Sequence, residues 1–218
     1  ILKRSLILYN RSLRCEVLQL VSSPIPLVTI DHVFNNKACI QSENRQGIEA
    51  LTRYILSMDH KKIAFIYGAQ DTVSDIRLTS FLRTMNDAGL SVPDDYLIAS
   101  PYHDPASTRE ATAQLLSLMD RPTCILMPDD YSALGGMDAI RAAGLRVPED
   151  ISITGYDGVA MIQMCQPQLT TVEQDVFKIG REAARKLVHL IEQPRTTLPE
   201  IVSVPCRLIT GGTVARLA

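Results

Sequence analysis

The chain has 218 residues, of which 46% are hydrophobic and 21% are charged, and its mean hydropathy is +0.06. This composition is typical of a soluble globular protein and excludes intrinsic disorder, collagen and a coiled coil. No run of 18 apolar residues is present, so no segment is expected to span a membrane. With 22 basic and 24 acidic residues the formal charge is −2, which argues against a nucleic-acid clamp formed by this chain itself.

The elements predicted from apolar periodicity and from Gly and Pro breaks alternate between strand and helix. In chain order they are strands Leu6–Leu8 and Leu27–Ile30, a helix at 42–58, strand 63–67, a helix through 78–85, strand 96–99, a helix opened by a capping box at 107–110, strand 124–127, a helix through 133–140, strand 151–154, a helix at 175–192 and strand Ile201–Val204. This alternation predicts parallel βαβ units, with helices on both faces of the sheet.

The cysteines show neither a metal-binding nor a disulfide pattern. They are Cys15, Cys39, Cys124, Cys165 and Cys206. Their number is odd, no two have the Cys-x-x-Cys spacing, and most lie in apolar runs, so we expect buried free thiols in a reducing, cytoplasmic compartment and no metal site. No signal peptide opens the chain, and residues 1–9 are typical of a buried strand entered midway.

Polar side chains follow the predicted strands, where open parallel sheets bind ligands. These residues are Asp31, Arg77, Tyr102, His103, Asp129, Asp130 and Asp157. Carboxylates accept from vicinal hydroxyls, the arginine fork donates, and an aromatic ring offers a flat apolar face to a sugar. Alternatively, such loops are simply solvated and use Asp as turn and helix-cap former. We prefer that interpretation for Asp71 and Asp94, and the pattern alone leaves both interpretations open for the others.

Seven stretches resemble, in order, motifs of the LacI/GalR family of transcription factors. The longest, VPEDISITGYD at 147–157, resembles the family's VPxDISVxGxDD. The others are PLVTID at 26–31, HKKIAFIYG at 60–68, Arg77 with Phe81, DYSALG at 130–135, PQLTTV at 167–172 with Gln174, and the set Gly180, Ala183 and Leu187. Each motif alone is weak, but seven collinear motifs cover essentially the whole chain, so it is identified as a member of this family.

The resemblance implies an α/β fold of the type I periplasmic-binding-protein kind, in which two doubly wound parallel-sheet lobes flank a cleft. We expect an N-terminal lobe at 1–41 plus 173–198 and a C-terminal lobe at 42–172 plus 199–218. The family's DNA-binding helix-turn-helix domain and its first two strand–helix units are absent. We therefore expect a fragment of a longer protein with an incomplete first lobe.

The resemblance also carries over the family's effector-binding positions, residue by residue. Asp31, Arg77, Asp157 and Gln174 coincide with positions that commonly touch the effector, Asp129 stands at the family's Asn, and His103, with Tyr102, falls where an aromatic ring often stacks on the ligand. The carboxylate at 129 adds a charge, and Gly158 replaces the second Asp of the family's DD pair. With Arg77 opposed to three aspartates, a neutral polyol, an amino sugar or a cationic effector fits better than a phosphate.

The function implied is effector sensing and dimerisation in a bacterial LacI-type repressor. A small molecule, a sugar or related polyol, would bind in the interlobe cleft of a homodimer, favour one lobe arrangement and thereby alter operator binding by the absent N-terminal domains. No cofactor is expected. A periplasmic sugar-binding protein of the same fold remains the alternative, although five unpaired cysteines argue against an oxidising compartment.

An enzyme is the third class considered, because the adjacent Asp129 and Asp130 resemble an acid/base or metal-binding pair. We prefer the interpretation in which one aspartate faces the site and the other caps the helix beginning near Tyr131. The sequence contains no G-x-G-x-x-G, P-loop, G-x-S-x-G or H-E-x-x-H motif. We therefore do not expect an enzyme.

Overall fold

The computed structural model describes residues 6–8, 22, 24–34, 37–69, 71–193 and 200–217. The chain divides into two compact units: unit 1 comprises Ile1–Glu43 and Asp175–Pro205, and unit 2 comprises Asn44–Gln174 and Cys206–Ala218. Within the described ranges, no helix is both long enough and apolar enough to cross a membrane. Cys15, predicted to be a free thiol, lies outside the described residues.

Short strands alternate with helices along the described chain. The strands are β1 (Leu6–Leu8), β2 (Leu27–Ile30), β3 (Ala38–Ser42), β4 (Ile63–Gly68), β5 (Leu97–Ser100), β6 (Cys124–Leu126), β7 (Ser152–Thr154), β8 (Thr171–Glu173), β9 (Ile201–Val204) and β10 (Arg207–Ile209). The helices are α1 (Asn44–Ser57), α2 (Thr72–Asp87), α3 (Pro105–Ser117), α4 (Asp130–Ala142) and α5 (Val176–Glu192), with short 3₁₀ turns at Asp94–Tyr96 and Ile162–Met164.

Unit 1 is built on a parallel sheet in the order β1-β2-β3-β9. Helix α5 lies against β2 and β3. Its Ile179 and Ala183 are four positions apart and therefore share one helical face, which packs on Val28, Ile40 and Val204 in a small apolar core.

The end of the chain is divided between the two units, which corrects one predicted boundary. The sequence placed residues 199–218 in the second lobe, but β9 pairs with β3, with Val202 opposite Ile40, and Val204 is buried in the core of unit 1. Only Cys206–Ala218 belongs to unit 2. The predicted crossing at 198–199 lies outside the described residues.

Unit 2 is built on a parallel sheet in the order β5-β4-β6-β7 and also contains the antiparallel pair β8–β10. Alternate residues of the central strands enter two separate cores. Phe65 and Leu126 pack with α1 and α2, whereas Ile66 and Ile125 pack with α3 and α4. Strands covered on both faces are expected to be continuous apolar runs, and β4 and β6 are such runs.

Aspartates fix the starts of helices next to the polar edge of this sheet. Asp71 caps α2 by accepting a hydrogen bond from the Ser74 N–H at 2.7 Å, so the interpretation of Asp71 as a cap former is confirmed. The capping box predicted at 107–110 is wrong, because α3 begins at Pro105 with Asp104 as its cap. Asp104 Oδ1 accepts from two backbone N–H groups, and the proline at the first position has no N–H to satisfy.

Helices α3 and α4 approach each other closely at the end where both begin. A Cβ added at Gly135 would overlap the backbone carbonyl of Pro105. The hydroxyl of Thr108 donates to the carbonyl oxygen of Ser132 at 2.8 Å across the same contact. Glycine permits this backbone approach, which fixes the two helix starts that follow β5 and β6.

Candidate functional site

The candidate site lies at the carboxyl edge of the parallel sheet of unit 2. Strands β4, β5, β6 and β7 end at Gly68, Ser100, Leu126 and Thr154, and parallel strands end at one edge of their sheet. The segments beyond this edge and beyond β8 carry six of the seven predicted effector-binding residues. These are Arg77, Tyr102, His103, Asp129, Asp157 and Gln174.

The Arg77 guanidinium is the central group of the site. Arg77 lies in the second turn of α2 and is 5% exposed. Its Nε donates to Asn44 Oδ1 at 2.9 Å, and its Nη1 donates to the carbonyl oxygen of Pro128 at 3.0 Å. The centroid of the Tyr156 ring lies 3.6 Å from its Cζ. Two directed hydrogen bonds and one aromatic face thus hold the cation in place.

Asp157 provides the acceptor that faces this cation. Its Oδ1 lies 4.0 Å from Arg77 Nη2 and accepts a hydrogen bond from Gln174 Nε2. Burial raises the pKa of the Asp157 carboxyl to about 6, against the opposing effect of the Arg77 guanidinium. The side chain still exposes 22% of its surface. A carboxylate that is partly accessible and already oriented can accept further hydrogen bonds from a ligand.

Asp129 caps α4 and at the same time holds the loop that carries His103. Its Oδ1 accepts from the Ser132 N–H, and its Oδ2 accepts from the Ser132 hydroxyl and the His103 N–H, each at 2.8 Å. Asp129 has no exposed surface. Of the two adjacent aspartates, the one predicted to face the ligand is therefore the helix cap. Its contact with an effector stays a prediction.

Aromatic rings lie beside these charged groups. The Tyr102 and Ser74 hydroxyls share a hydrogen bond of 2.8 Å, and the Tyr102 ring centroid is 5.9 Å from the Arg77 Cζ. Burial raises the pKa of Tyr102. The His103 side chain is 52% exposed, and its ring meets the half-exposed Tyr131 ring edge to face, with centroids 5.9 Å apart. These two rings offer apolar faces at the accessible side of the site.

Backbone strain is concentrated at predicted site residues. Among the described residues, the non-glycine positions with positive φ are Asp31 (53°), Asp59 (67°), His103 (55°) and Asp157 (109°). Such conformations are uncommon for residues with a side chain, and they cluster at functional sites. Three of these four were predicted to bind the effector, whereas Asp59 lies in the turn that follows α1.

Asp130 has a different role from its neighbour. It is fully buried, its Oδ1 accepts from the Thr171 hydroxyl at 2.5 Å, and its Oδ2 accepts from the Val159 N–H at 2.7 Å. Burial, with a smaller contribution from the carboxylates of Asp157 and Asp129, raises the pKa of Asp130 to about 7 against the lowering effect of its two hydrogen bonds. Asp130 therefore joins the first turn of α4 to β8 and to the segment after β7.

Asp31, the seventh predicted residue, lies in unit 1. It follows β2 directly, its N–H donates to the Ile40 carbonyl oxygen at 3.0 Å, and its Oδ1 accepts from the Ser42 N–H at 2.8 Å. The carboxylate is thus oriented by the end of β3. Its contact with an effector stays a prediction.

Two residues that contact Arg77 were not included in the predicted site. Asn44 is the first residue of α1, and the sequence drew attention only to the apolar face of that helix. Tyr156 directly precedes Asp157 and enters the sequence analysis only as part of the VPEDISITGYD motif. Asn44 is a polar residue just beyond a strand, and this place could have indicated it as a site residue. The sequence did not predict that strand, β3, so the signal was not visible.

The described residues contain no group of three His, Cys, Asp or Glu side chains placed to hold a metal ion. No disulfide joins the cysteines in the described part of the chain, which are Cys39, Cys124, Cys165 and Cys206. Complete burial raises the pKa of the Cys124 thiol far above its usual range.

The parallel sheets and the polar carboxyl edge define an α/β domain of the periplasmic-binding-protein class. A family model described as "Periplasmic binding protein-like domain" matches residues 52–214, and the chain belongs to this family. The predicted fold class is thereby confirmed.

Two relatives and one solved structure narrow the assignment within that class. The chain is 33% identical over 181 residues to the probable HTH-type transcriptional repressor ExuR of Bacillus subtilis (strain 168). The matched stretch covers 82% of this chain and 54% of that protein. The chain is 34% identical over 173 residues to the ribose operon repressor of Escherichia coli (strain K12), which covers 79% and 52% respectively. A crystal structure of a transcriptional regulator LacI from Bacillus cereus subsp. cytotoxis NVH 391-98 is 26% identical, with a TM-score of 0.91 over 98% of this chain and 77% of that one.

These similarities confirm the resemblance to LacI/GalR regulators that the seven motifs indicate. The relatives are named as repressors and not as enzymes. The chain spans about half the length of these curated relatives, since the matched parts are 54% and 52% of them.

Proposed function

We propose that this chain is the effector-binding and dimerisation domain of a LacI/GalR-type transcriptional repressor. The support is its similarity to repressors over about four fifths of its length, at 82% and 79% of the chain. Operator DNA would be bound through an N-terminal helix-turn-helix domain outside this chain, as the resemblance implies. The free thiols of the described cysteines favour a reducing, cytoplasmic compartment.

The proposed effector is a neutral sugar or a related polyol. The observation that carries this proposal is the pairing of Arg77 Nη2 with Asp157 Oδ1 across 4.0 Å, which places a buried donor beside an acceptor that is 22% exposed. Vicinal hydroxyls can accept from the first group and donate to the second. The half-exposed His103 ring offers an apolar face to the carbon side of a sugar ring. A phosphate would meet the Asp157 carboxylate with like charge.

A thermal-shift screen tests the effector class. The panel contains D-ribose, chosen because one relative is named a ribose operon repressor, together with hexoses, nucleosides, amines and inorganic phosphate. A neutral sugar should raise the melting temperature, because a ligand that binds only the folded state stabilises it by RT ln(1 + [L]/Kd). A panel in which only anionic ligands stabilise the protein would overturn the proposal.

Matched variants separate a specific response from a general one. Asp157→Asn keeps the shape of the side chain but removes the charge and one acceptor, so it should abolish the sugar response. Asp138→Asn changes an aspartate of α4 that is 54% exposed and paired with Arg109 of α3, and it should retain the response. Equal responses in the two variants would remove Asp157 from the site.

Dimerisation and DNA control need the protein with its DNA-binding region. Light scattering should give the mass of a homodimer. In a mobility-shift assay, the stabilising sugar should change operator affinity roughly 5- to 150-fold, the range of ordinary allosteric coupling. An operator affinity that does not respond to a sugar that binds would contradict the regulatory proposal and leave the binding site intact.

A further inference from the structure

We propose that Tyr156 and Asn44 are positioning residues, which set effector affinity through Arg77 without touching the effector themselves. This inference rests on the proposed binding site. Tyr156 has no exposed surface, and the Oδ1 of the buried Asn44 already accepts a hydrogen bond from Arg77 Nε, so we assign both residues to Arg77 and not to the effector. Both contact Arg77 directly, Tyr156 through its ring at 3.6 Å and Asn44 through its amide oxygen at 2.9 Å.

The two residues restrict different motions of the guanidinium. The Tyr156 ring lies against the guanidinium, with its centroid 3.6 Å from the Arg77 Cζ, and so limits the movement of this group away from its position. The hydrogen bond from Arg77 Nε to Asn44 Oδ1 restricts rotation of the guanidinium. The hydrogen bond from Arg77 Nη1 to the Pro128 carbonyl oxygen holds a second nitrogen of the same group. The Nη2 edge is thereby directed toward Asp157 Oδ1 at 4.0 Å. An arginine held in this way loses little further side-chain freedom when a ligand binds.

The separation between Arg77 and Asp157 is the reason that positioning affects binding. A distance of 4.0 Å is longer than a direct charged hydrogen bond, which is about 2.7–2.9 Å. An arginine released from the Tyr156 ring can swing onto the carboxylate and close the space in which two ligand hydroxyls are proposed to bind. Removal of the aromatic face should therefore weaken sugar binding about tenfold, which lies between the effect of an exposed and that of a fully desolvated cation–π contact.

The first test needs no ligand. In the ¹H–¹⁵N spectrum, the Nε–H signal of Arg77, identified by its loss in Arg77→Lys, should be protected from solvent exchange and shifted by the Tyr156 ring current. Tyr156→Phe keeps the ring and should keep this signal, whereas Tyr156→Leu should lose both properties. Asn44→Asp keeps the acceptor and should keep the protection that Asn44→Leu removes. An unchanged Arg77 signal in Tyr156→Leu overturns the proposal.

A matched core variant controls for loss of packing. Phe65 is 1% exposed and belongs to the same apolar cluster as Tyr156. Phe65→Leu removes an aromatic ring from that cluster but keeps the ring beside Arg77, so it should lower the melting temperature and leave the Arg77 signal unchanged. Loss of the Arg77 signal in Phe65→Leu would show that the signal reports general packing, and the positioning proposal would fail.

The second test uses calorimetric titration with D-ribose and a double-mutant cycle. Tyr156→Leu should weaken D-ribose binding about tenfold in the wild-type background and should have no effect in an Arg77→Ala background, because the ring acts through the arginine. Equal losses in both backgrounds overturn the proposal. If D-ribose does not bind the wild-type protein, the choice of ribose as effector fails, whereas the Arg77 signal still decides the positioning role.

Discussion

The buried Asp130 carboxyl should make the protein less stable as the pH rises from about 4 to about 7. Its pKa is raised from 3.8 to about 7, mainly by burial. The folded state therefore holds this proton more tightly than the unfolded chain does. The stabilisation that results is complete below pH ~4 and is lost as the pH rises through about 7. At ~1.4 kcal/mol per pKa unit, the difference between the unfolded and folded pKa values corresponds to a loss on the order of 4 kcal/mol in the free energy of unfolding.

Asp130→Asn should remove most of this dependence. Asparagine has the same shape and stays neutral, its amide oxygen can accept from the Val159 N–H, and its NH₂ can donate to the Thr171 hydroxyl after that hydroxyl rotates. The variant should therefore match the wild type near pH 4 and exceed its free energy of unfolding by ~2–4 kcal/mol at pH 8. Urea denaturation followed by far-UV circular dichroism, at intervals between pH 4 and pH 8, measures the difference.

Two further variants make this experiment decisive. Thr171→Val removes a hydrogen bond that lowers the pKa of Asp130, so the loss of stability should continue to a higher pH than in the wild type. Asp138→Asn neutralises an exposed aspartate on the same helix and should give a curve parallel to that of the wild type. If the difference between Asp130→Asn and the wild type is the same at pH 5 and pH 8, the buried proton does not exist and the reasoning is refuted.

Three other perturbations follow from particular contacts. Affinity for D-ribose, measured by calorimetry between pH 5 and 8, should fall below pH ~6, because Asp157, with a pKa of about 6, then loses its charge; a flat profile would contradict its role as acceptor. Gly135→Ala should lower stability by ~1–3 kcal/mol in thermal unfolding, since the added Cβ meets the Pro105 backbone, which cannot yield as a side chain would. Leu115→Ala, at a position with 0% exposure, should cost ~2–5 kcal/mol in urea denaturation, and a cost below ~1 kcal/mol would show that the core collapses around the vacancy.

The parts of the fold that follow from local pattern were predictable from the sequence. Strands such as β4 and β6 are continuous apolar runs because both faces are covered, and the predicted and observed positions agree closely. Strand β3 was missed because it carries Gln41 and Ser42 at its end and is defined by its pairing with β2 and β9. Strand propensity depends on such partners, which the sequence does not reveal. Helix α1 consequently begins at Asn44, two residues later than predicted.

The site was predictable as a set of positions but not as a set of contacts. The topology of parallel strands places Arg77, His103 and Asp157 at one edge, and this requires only the order of the elements. The partners of Arg77 come from other segments: Asn44 is 33 residues away along the chain. No periodicity connects these residues, because their contact depends on how α1 and α2 pack together. The positive φ angles of His103 and Asp157 could not be predicted either, since neither residue is a glycine.

The role of Asp129 changes what the acidic character of the site means. At the corresponding family position, an asparagine has one acceptor oxygen and one donor group, whereas Asp129 accepts from the Ser132 N–H, the Ser132 hydroxyl and the His103 N–H. Its carboxylate is therefore already stabilised by backbone and hydroxyl donors, and it caps α4, where a helix N-terminus favours an anion. Beside this cap, the site in unit 2 contains the buried cation of Arg77 and the partly exposed anion of Asp157, whose charges oppose each other across 4.0 Å. That balance favours a neutral polyol over a cationic effector.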